Sequence, residues 1–557
     1  MATPPYKPDS EERDRYYVGF IPRPRLIART GGDRWSKPLY FHPYYITGST
    51  QLEKKYAIIS DEEMISKWSR DLDLALIQAL SQSRCRWTRF FPIRIGLEDP
   101  ERRYGWRKKV DDLTTVLLIA VEEDSLGWEQ GIDIALECRR LLQAHDIEDV
   151  EVEICEGSHN RHAACARLEA QIEPQFSQEG RRTNELVSKM LSHIVYPIAY
   201  LDRPRGQGTV GLHVKLEGQD SKFYGLTCRH VVSHGRKPHE SYTISGNSRQ
   251  YHVQCGTIEF EDIHNRLKDA KNDLEKTLED WQKPHDSWER ELQYDPEKAH
   301  KKPSSQETEE RDRLRKEVAY LTEVFDSLQA LEDKPSRQIG HLAFLPKGET
   351  SSSQFGYLKD WALVELDLEK FTHGPENKVF VGHDFGEIVT RTKTKDGPAH
   401  SEARTSGFFK LRLAEPDEEI REPRHVAVRG SMSGLTFGQT SGIGAVLRQT
   451  LEDGTSLYFW ELLVIPEGDK TYFSREGDSG SCVFDLEGRV VGLLTGSNDE
   501  DLEDAEQGTG IPSNIPTTGG ISRLWAGKSP PDISFVSPIG WVLSDIEEFS
   551  GFRPRLA

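Results

Sequence analysis

The sequence predicts an α+β multidomain protein: a small α/β domain, then an all-β barrel or sandwich domain that a helical hairpin interrupts. Three observations predict this. A continuous apolar run, Val116-Leu117-Leu118-Ile119-Ala120-Val121, is followed by Ile132, Ala135, Cys138 and Leu142 on one helical face, and then by the alternating Val150, Val152 and Ile154. A run suited to cover on both faces, joined through a helix to a second strand, is a parallel crossover. From Gly208 the pattern changes to short alternating strands, the first with Val210, Leu212, Val214 and Leu216, separated by Gly, Asp and Ser turns. Within that region, Ile263, Leu267, Ala270, Leu274, Leu278 and Trp281 keep steps of three and four, and Leu314, Val318, Leu321, Leu328 and Leu331 repeat the pattern.

The elements follow in order. Residues 1–45 mix Pro, Arg and Gly without periodicity and predict an extended or disordered arm. Residues 46–195 form the α/β domain, opening on one amphipathic helix. Ser60 and Glu63 have capping-box spacing there, and Ile65, Trp68, Leu72, Leu76 and Leu80 follow one face. Residues 196–545 form the all-β domain, and residues 546–557 a C-terminal tail. The hairpin spans 261–335, its two helices joined by the polar stretch Pro284 to Pro303, and it reads equally as a solvated excursion or as a docking arm. Gly206-Gln207-Gly208-Thr209-Val210-Gly211 matches GxGxxG, but period-two alternation follows it instead of a helix, so it is no nucleotide loop.

A chain of 557 residues exceeds what one core organises, and a formal charge of -20 disfavours nucleic acid and anionic membrane as partners. The first twenty residues hold no apolar run of signal-peptide length, and no stretch approaches about 18 uninterrupted apolar residues. The seven cysteines are scattered and lack a CxxC pair. They read as reduced, mostly buried thiols in a cytoplasmic or nuclear protein that is not secreted. Cys482 belongs among them, and Trp361 and Trp541 read as core residues. The pair His230 and His234, with Cys228, lacks a further ligand, so no metal and no cofactor is expected.

The chemistry concentrates in three segments. Gly477-Asp478-Ser479-Gly480 sets a serine between glycines after an acidic turn. Gly477 and Gly480 allow backbone geometry closed to other residues, so the Gly477 and Ser479 amides can converge on a developing oxyanion. A hydroxyl needs a base when it attacks, and His230, at the end of Leu226-Thr227-Cys228-Arg229-His230, is the candidate. The imidazole in turn needs a carboxylate to hold its tautomer, a task suited to Asp360, which opens the strand Trp361 to Leu366. Downstream, Ser481 to Phe484 and Arg489 to Leu494 flank the turn 485–488, a hairpin that braces the serine turn.

The segments LTCRHVV, DWALVEL and EGDSGSCVFDLEGRVVGLLTG resemble the histidine, aspartate and serine segments of chymotrypsin-like (trypsin-like) serine peptidases over roughly residues 200–545. Val428 to Gly438 resembles the strand pair before the serine loop of intracellular and microbial members, and Phe535 to Leu543 the last barrel strand with its C-terminal helix. The resemblance implies a double six-stranded antiparallel β-barrel with the site between barrels. It implies an endopeptidase with Ser479 as nucleophile, His230 as base and then acid, Asp360 as orienting carboxylate, and a protein or peptide substrate.

Three departures stand out. Val231 replaces the half-cystine usual after the histidine in secreted members, and Phe473 stands where enzymes cutting after Lys or Arg carry an acid. No activation tetrapeptide precedes Gly208, so Asp478 needs a partner other than a newly cut amino terminus. The alternative is a catalytically silent or latent domain that docks a protein partner through the hairpin or the N-terminal domain.

Overall fold

The computed structural model describes residues 4–20, 24–41, 49–97, 113–157, 164–165, 194, 196–200, 203–233, 240–244, 251–254, 257–294, 304–329, 331–351, 356–371, 375–381, 408–415, 418, 422–451, 454–467, 472–497 and 533–557. It is mostly β, with barrel-like sheets and some helices. Six antiparallel strands close on themselves in the order Ser456–Glu467, Gly434–Thr440, His425–Gly430, Cys482–Asp485, Val490–Ser497 and Ser534–Pro538, the last pairing back to the first. Their interior holds Val426, Val428, Val464, Val483, Val491, Leu494 and Val536; Val426 and Val428 alternate along one face of their strand, while register shifts let Val491 and Leu494, three apart, both point inward.

A second sheet runs Pro554–Leu556, Leu212–Leu216, Tyr224–Thr227, Ala362–Leu366, Gln338–Leu345, Tyr251–Gln254, Tyr196–Tyr200 and Arg203–Val210. It curls back on itself, since the Gly211 amide, just past Arg203–Val210, donates to Leu226 O at 3.0 Å. The predicted strand over 210–216 is therefore two strands that bend at Gly211. A side chain at Gly211 would collide with Gly480 O.

Strands Thr114–Val121 and Glu151–Glu156 pair in parallel, with the helix Trp128–Ala144 between them in sequence. Their sheet continues through Trp87–Leu97 and Ala445–Thr450 into Ser456–Glu467. The N-terminal unit and the closed barrel thus share one sheet. Side chains add to the junction: Asp73 accepts from both Trp68 Nε1 and Trp460 Nε1, at 2.9 and 2.8 Å, and the Arg70 guanidinium lies 3.4 Å over the Trp460 ring. A fragment beginning at residue 196 would expose Val446, Leu447 and an unpaired strand edge. It is expected to aggregate or to melt without cooperativity, which thermal circular dichroism checks. A cooperative melt at the full-length temperature would contradict this.

Several expectations are corrected. Residues 1–45 are no loose arm where described: Ser10–Arg15 is helical, Leu26–Arg29 pairs with Glu151–Glu156, and Tyr16, Tyr17, Phe20, Leu26 and Ile27 are buried. The Tyr16 and Tyr17 hydroxyls donate to Glu153 at 2.6 and 2.7 Å, and burial holds the Lys54 ammonium over Tyr16 down at about 8. Residues 546–557 are no tail: the helix Ile539–Ser550 runs into them, and Pro554–Leu556 pairs with Leu212–Leu216. The single helix expected from Ser60 is two, Glu62–Lys67 and Arg70–Gln82. Trp68 is extended between them, and the caps are Asp61 and Ser69, whose side chains accept from Met64 N and Leu72 N.

The helices Thr257–Tyr294 and Ser305–Gln329 pack through Leu267, Leu274, Leu314, Leu321 and Leu328. Pro284 lies inside the first helix instead of in the connection, of which 295–303 fall outside the described residues. Among the described residues, no helix is long and apolar enough to cross a membrane.

Candidate active site

Strand register brings the histidine and aspartate together. Tyr224–Thr227 pairs with Ala362–Leu366 so that Leu226 faces Leu363 and Thr227 faces Ala362. The segments just beyond these pairs, the short helix Arg229–Val232 and the extended Asp360-Trp361, therefore leave the sheet side by side. The His230 amide donates to Asp360 Oδ1 at 3.0 Å, and His230 Nδ1 stands 2.6 Å from Asp360 Oδ2. Both carboxylate oxygens are thus engaged by one residue, which fixes the ring as well as its backbone. Asp360 is 2 % exposed and His230 13 %. His230 Nε2 is buried and has no hydrogen-bond partner.

Trp361, beside Asp360, is fully buried and donates from Nε1 to Asp545 at 2.7 Å, anchoring this segment to the C-terminal helix. Trp541, on that helix, is half-buried against Tyr357, and the two line a cavity of about 410 Å³ with Ser544 and Glu548.

Ser479 lies in the loop that leads into the closed-barrel strand Cys482–Asp485. The Thr209 amide donates to Ser479 O at 2.8 Å, while Thr209 Oγ1 and Ser431 Oγ flank Gly477 O at 3.0 and 3.1 Å. A methyl on Gly208 would stand 2.9 Å from Ser479 O and collide with Val231, and one on Gly480 would stand 3.1 Å from Cys228 N. Only hydrogen at these positions lets the serine turn meet the histidine helix. The Ser479 hydroxyl donates to Thr495 O at 3.4 Å, a long bond, and makes none to His230. The structure thus joins His230 to Asp360 directly and brings Gly480, next to Ser479, close to the backbone of Cys228 at the start of the histidine helix.

Gly477 and Gly480 both have φ of 91°, in the region glycine favours. The amide of Asp478 donates to Arg475 O at 3.0 Å and that of Gly480 to Leu494 O at 2.8 Å. Those of Gly477 and Ser479 find no acceptor among the described residues. Backbone amides without an acceptor are the kind of donor that can stabilise a developing oxyanion.

Cys228 Sγ, His230 and Asp360 offer donor atoms within 4.8 Å of one another. The thiol donates to Leu494 O at 3.2 Å, and His230 and Asp360 are bonded to each other. His234 lies outside the described residues. Cys85, Cys138, Cys155, Cys228 and Cys482 are buried thiols outside any disulfide, and burial pushes the Cys85 thiol up to about 11 and that of Cys482 higher still. Phe473 is fully buried, packed with Val426 and Val464 inside the barrel, so its side chain is no pocket floor.

The contacts of Thr209, Ser431, Met432 and Ser433 with the serine loop escaped the sequence reading, because they are made through hydroxyls and amides that carry no motif. Their visible traces were the glycine-rich stretches 428–438 and 206–211, and Gly208 and Gly211 of the latter serve close backbone approach.

No family model and no curated protein matches this chain. Three solved structures of serine proteases are similar to parts of it. A glutamic acid specific serine protease with a histidine triad in substrate binding shares 11% identity, covering 66% of this chain and 100% of its own, with a TM-score of 0.27. Thermobifida fusca Protease A shares 11% identity over the same shares, 66% and 100%, with a TM-score of 0.26. Cellulomonas bogoriensis chymotrypsin shares 14% identity, covering 39% and 75%, with a TM-score of 0.20. No residue correspondence follows from overlaps this shallow.

Proposed function

We propose that the chain is a serine endopeptidase of the double-barrel, chymotrypsin-like kind, hydrolysing peptide bonds through an acyl-enzyme. The observation that carries the reading is the buried His230–Asp360 pair. Its Nδ1 is committed to a carboxylate while Nε2, a buried atom, is left without a partner. A ring whose Nδ1–H is held by a carboxylate keeps its lone pair on Nε2, the nitrogen that can receive a proton.

In the proposed reaction Ser479 Oγ leaves Thr495 O, attacks the substrate carbonyl carbon and gives its proton to Nε2. The new imidazolium keeps its Nδ1–H on Asp360 Oδ2, and the carbonyl oxygen takes up negative charge between the Gly477 and Ser479 amides. Nε2–H then protonates the leaving amine as the C–N bond breaks. Water, deprotonated by the same nitrogen, releases the acid and restores Ser479.

One observation favours a second reading, a latent or silent domain: the Ser479 hydroxyl rests on Thr495 O instead of on His230. An aryl fluorophosphonate separates the two. Stoichiometric labelling of Ser479, located by peptide mass mapping and absent from His230→Ala, is the result expected of the hydrolase. A purified, folded chain that takes up no label would sink it in favour of the silent domain.

A further inference from the structure

The helix Ile539–Ser550 turns Val542 and Ile546 into the core and leaves Trp541, Ser544, Asp545 and Glu548 along another face. That face lines the cavity of about 410 Å³, which Tyr357 and Ser351 help to complete. The Tyr357 and Trp541 ring centroids stand 5.2 Å apart with their planes tilted by 40°, an aromatic pair at the edge of open space.

The surroundings are acidic. Asp545, 3 % exposed, accepts from Trp361 Nε1 at Oδ2, and Lys359 Nζ stands 3.4 Å from its Oδ1. The same ammonium lies 3.7 Å from Glu349. Glu548, almost one helical turn beyond Asp545, is exposed and pairs with no cation among the described residues. Three carboxylates therefore share one ammonium, and the unshared one lines the same cavity as the two rings.

Ring faces attract cations, and a carboxylate beside them adds charge-assisted hydrogen bonds. A guanidinium suits the pair better than an ammonium: it is flat, weakly hydrated, stacks on a ring and presents paired N–H groups to a carboxylate. The chain builds this combination once for its own use. Trp460 Nε1 donates to Asp73 at 2.8 Å, and the Arg70 guanidinium lies 3.4 Å over the Trp460 ring. In the cavity the rings and the carboxylates are present, while no Lys, Arg or His is among the lining residues described.

We propose that this cavity binds an arginine side chain of a partner polypeptide, its guanidinium stacked on Trp541 and Tyr357 and hydrogen-bonded to Glu548. Nothing in the lining would hold the α-carboxylate of free arginine, whereas a side chain presented by a polypeptide brings no such group. The site is distinct from the proposed chemistry and does not rest on it. It adjoins the segment that carries Asp360, since Trp361, the next residue, bonds to Asp545.

The test is fluorine NMR of the full chain labelled with 5-fluorotryptophan, the Trp541 resonance being assigned by its loss in Trp541→Phe. Propylguanidinium is expected to shift that resonance saturably, with a Kd in the millimolar range, and propylurea, its neutral counterpart in shape, to leave it in place. Butylammonium is expected to bind at least about threefold more weakly. In Glu548→Gln the guanidinium should bind at least about fivefold more weakly, and since Glu548 is exposed and unpaired the fold is not at stake. No saturable shift, an equal shift with propylurea, or an unchanged Kd in Glu548→Gln overturns the proposal. Butylammonium binding as tightly as propylguanidinium overturns the assignment to arginine. A capped glycyl-arginyl-glycine peptide is expected to bind at least as tightly as free L-arginine; free arginine binding about tenfold tighter would make the amino acid the ligand and overturn the polypeptide partner.

Discussion

Ser479→Ala is expected to lower kcat by about 10⁴–10⁶ while the protein keeps its fold. The change removes the attacking oxygen and leaves the His230–Asp360 pair and both candidate oxyanion amides in place. What remains is water attacking a bound, polarised carbonyl, hence a residual rate and not zero. The cost in stability is small because Ser479 contributes only one long hydrogen bond, 3.4 Å to Thr495 O, from a hydroxyl that an alanine methyl replaces in shape. Less than about 1 kcal/mol is expected. Hydrolysis of a peptide library followed by mass spectrometry reads the first number, and a denaturant titration reads the second. Activity retained in the alanine variant would exclude Ser479 as nucleophile.

Asp360→Asn has the next largest effect, about 10⁴ in kcat, and its cause is a tautomer. Asp360 Oδ1 already accepts from the His230 amide, so an asparagine keeps its oxygen there and presents its NH₂ to Nδ1. Nδ1 must then accept, which moves the ring proton to Nε2, the nitrogen that has to receive the proton of Ser479. The base is blocked without any loss of shape. Raising the pH does not restore the neutral ring's missing lone pair at Nε2, so activity should recover only weakly in alkaline buffer, as hydroxide takes over as base. Full activity in Asp360→Asn would show that the 2.6 Å contact serves packing alone.

Much of the local layout was legible in the sequence, and most of what was missed is non-local. The alternation of Val426 and Val428 marks a strand, as does the apolar run 116–121, because a side-chain period is a property of the strand itself. That Leu226 lies opposite Leu363, and so His230 beside Asp360, is a matter of register, which sequence reached only through family resemblance.

The arm and the tail were misjudged for a related reason. Segments rich in Pro and Arg look solvated until their partners are known, and the partners of Tyr16 and Pro554 are Glu153 and Leu216. The split at Trp68 was hidden by a stripe that stays in phase across it, even though Ser69 is a good cap. The acidic partner problem at Asp478 was visible as a question, and its carboxylate accepts from the Met432, Ser433 and Arg475 amides, groups that carry no sequence signal.

The strand Pro554–Leu556 has one more implication. It borders Leu212–Leu216, and Arg555 bonds to Asp220 across 335 positions of sequence. A ribosome delivers the inner strand long before its neighbour, so that sheet margin waits, bare, while most of the polypeptide is made. Closing a loop of this size costs only logarithmically more than closing a short one, but contacts so distant are slow to find each other. Slow refolding from denaturant, with loss to aggregates that rises with protein concentration, is the behaviour such a topology brings.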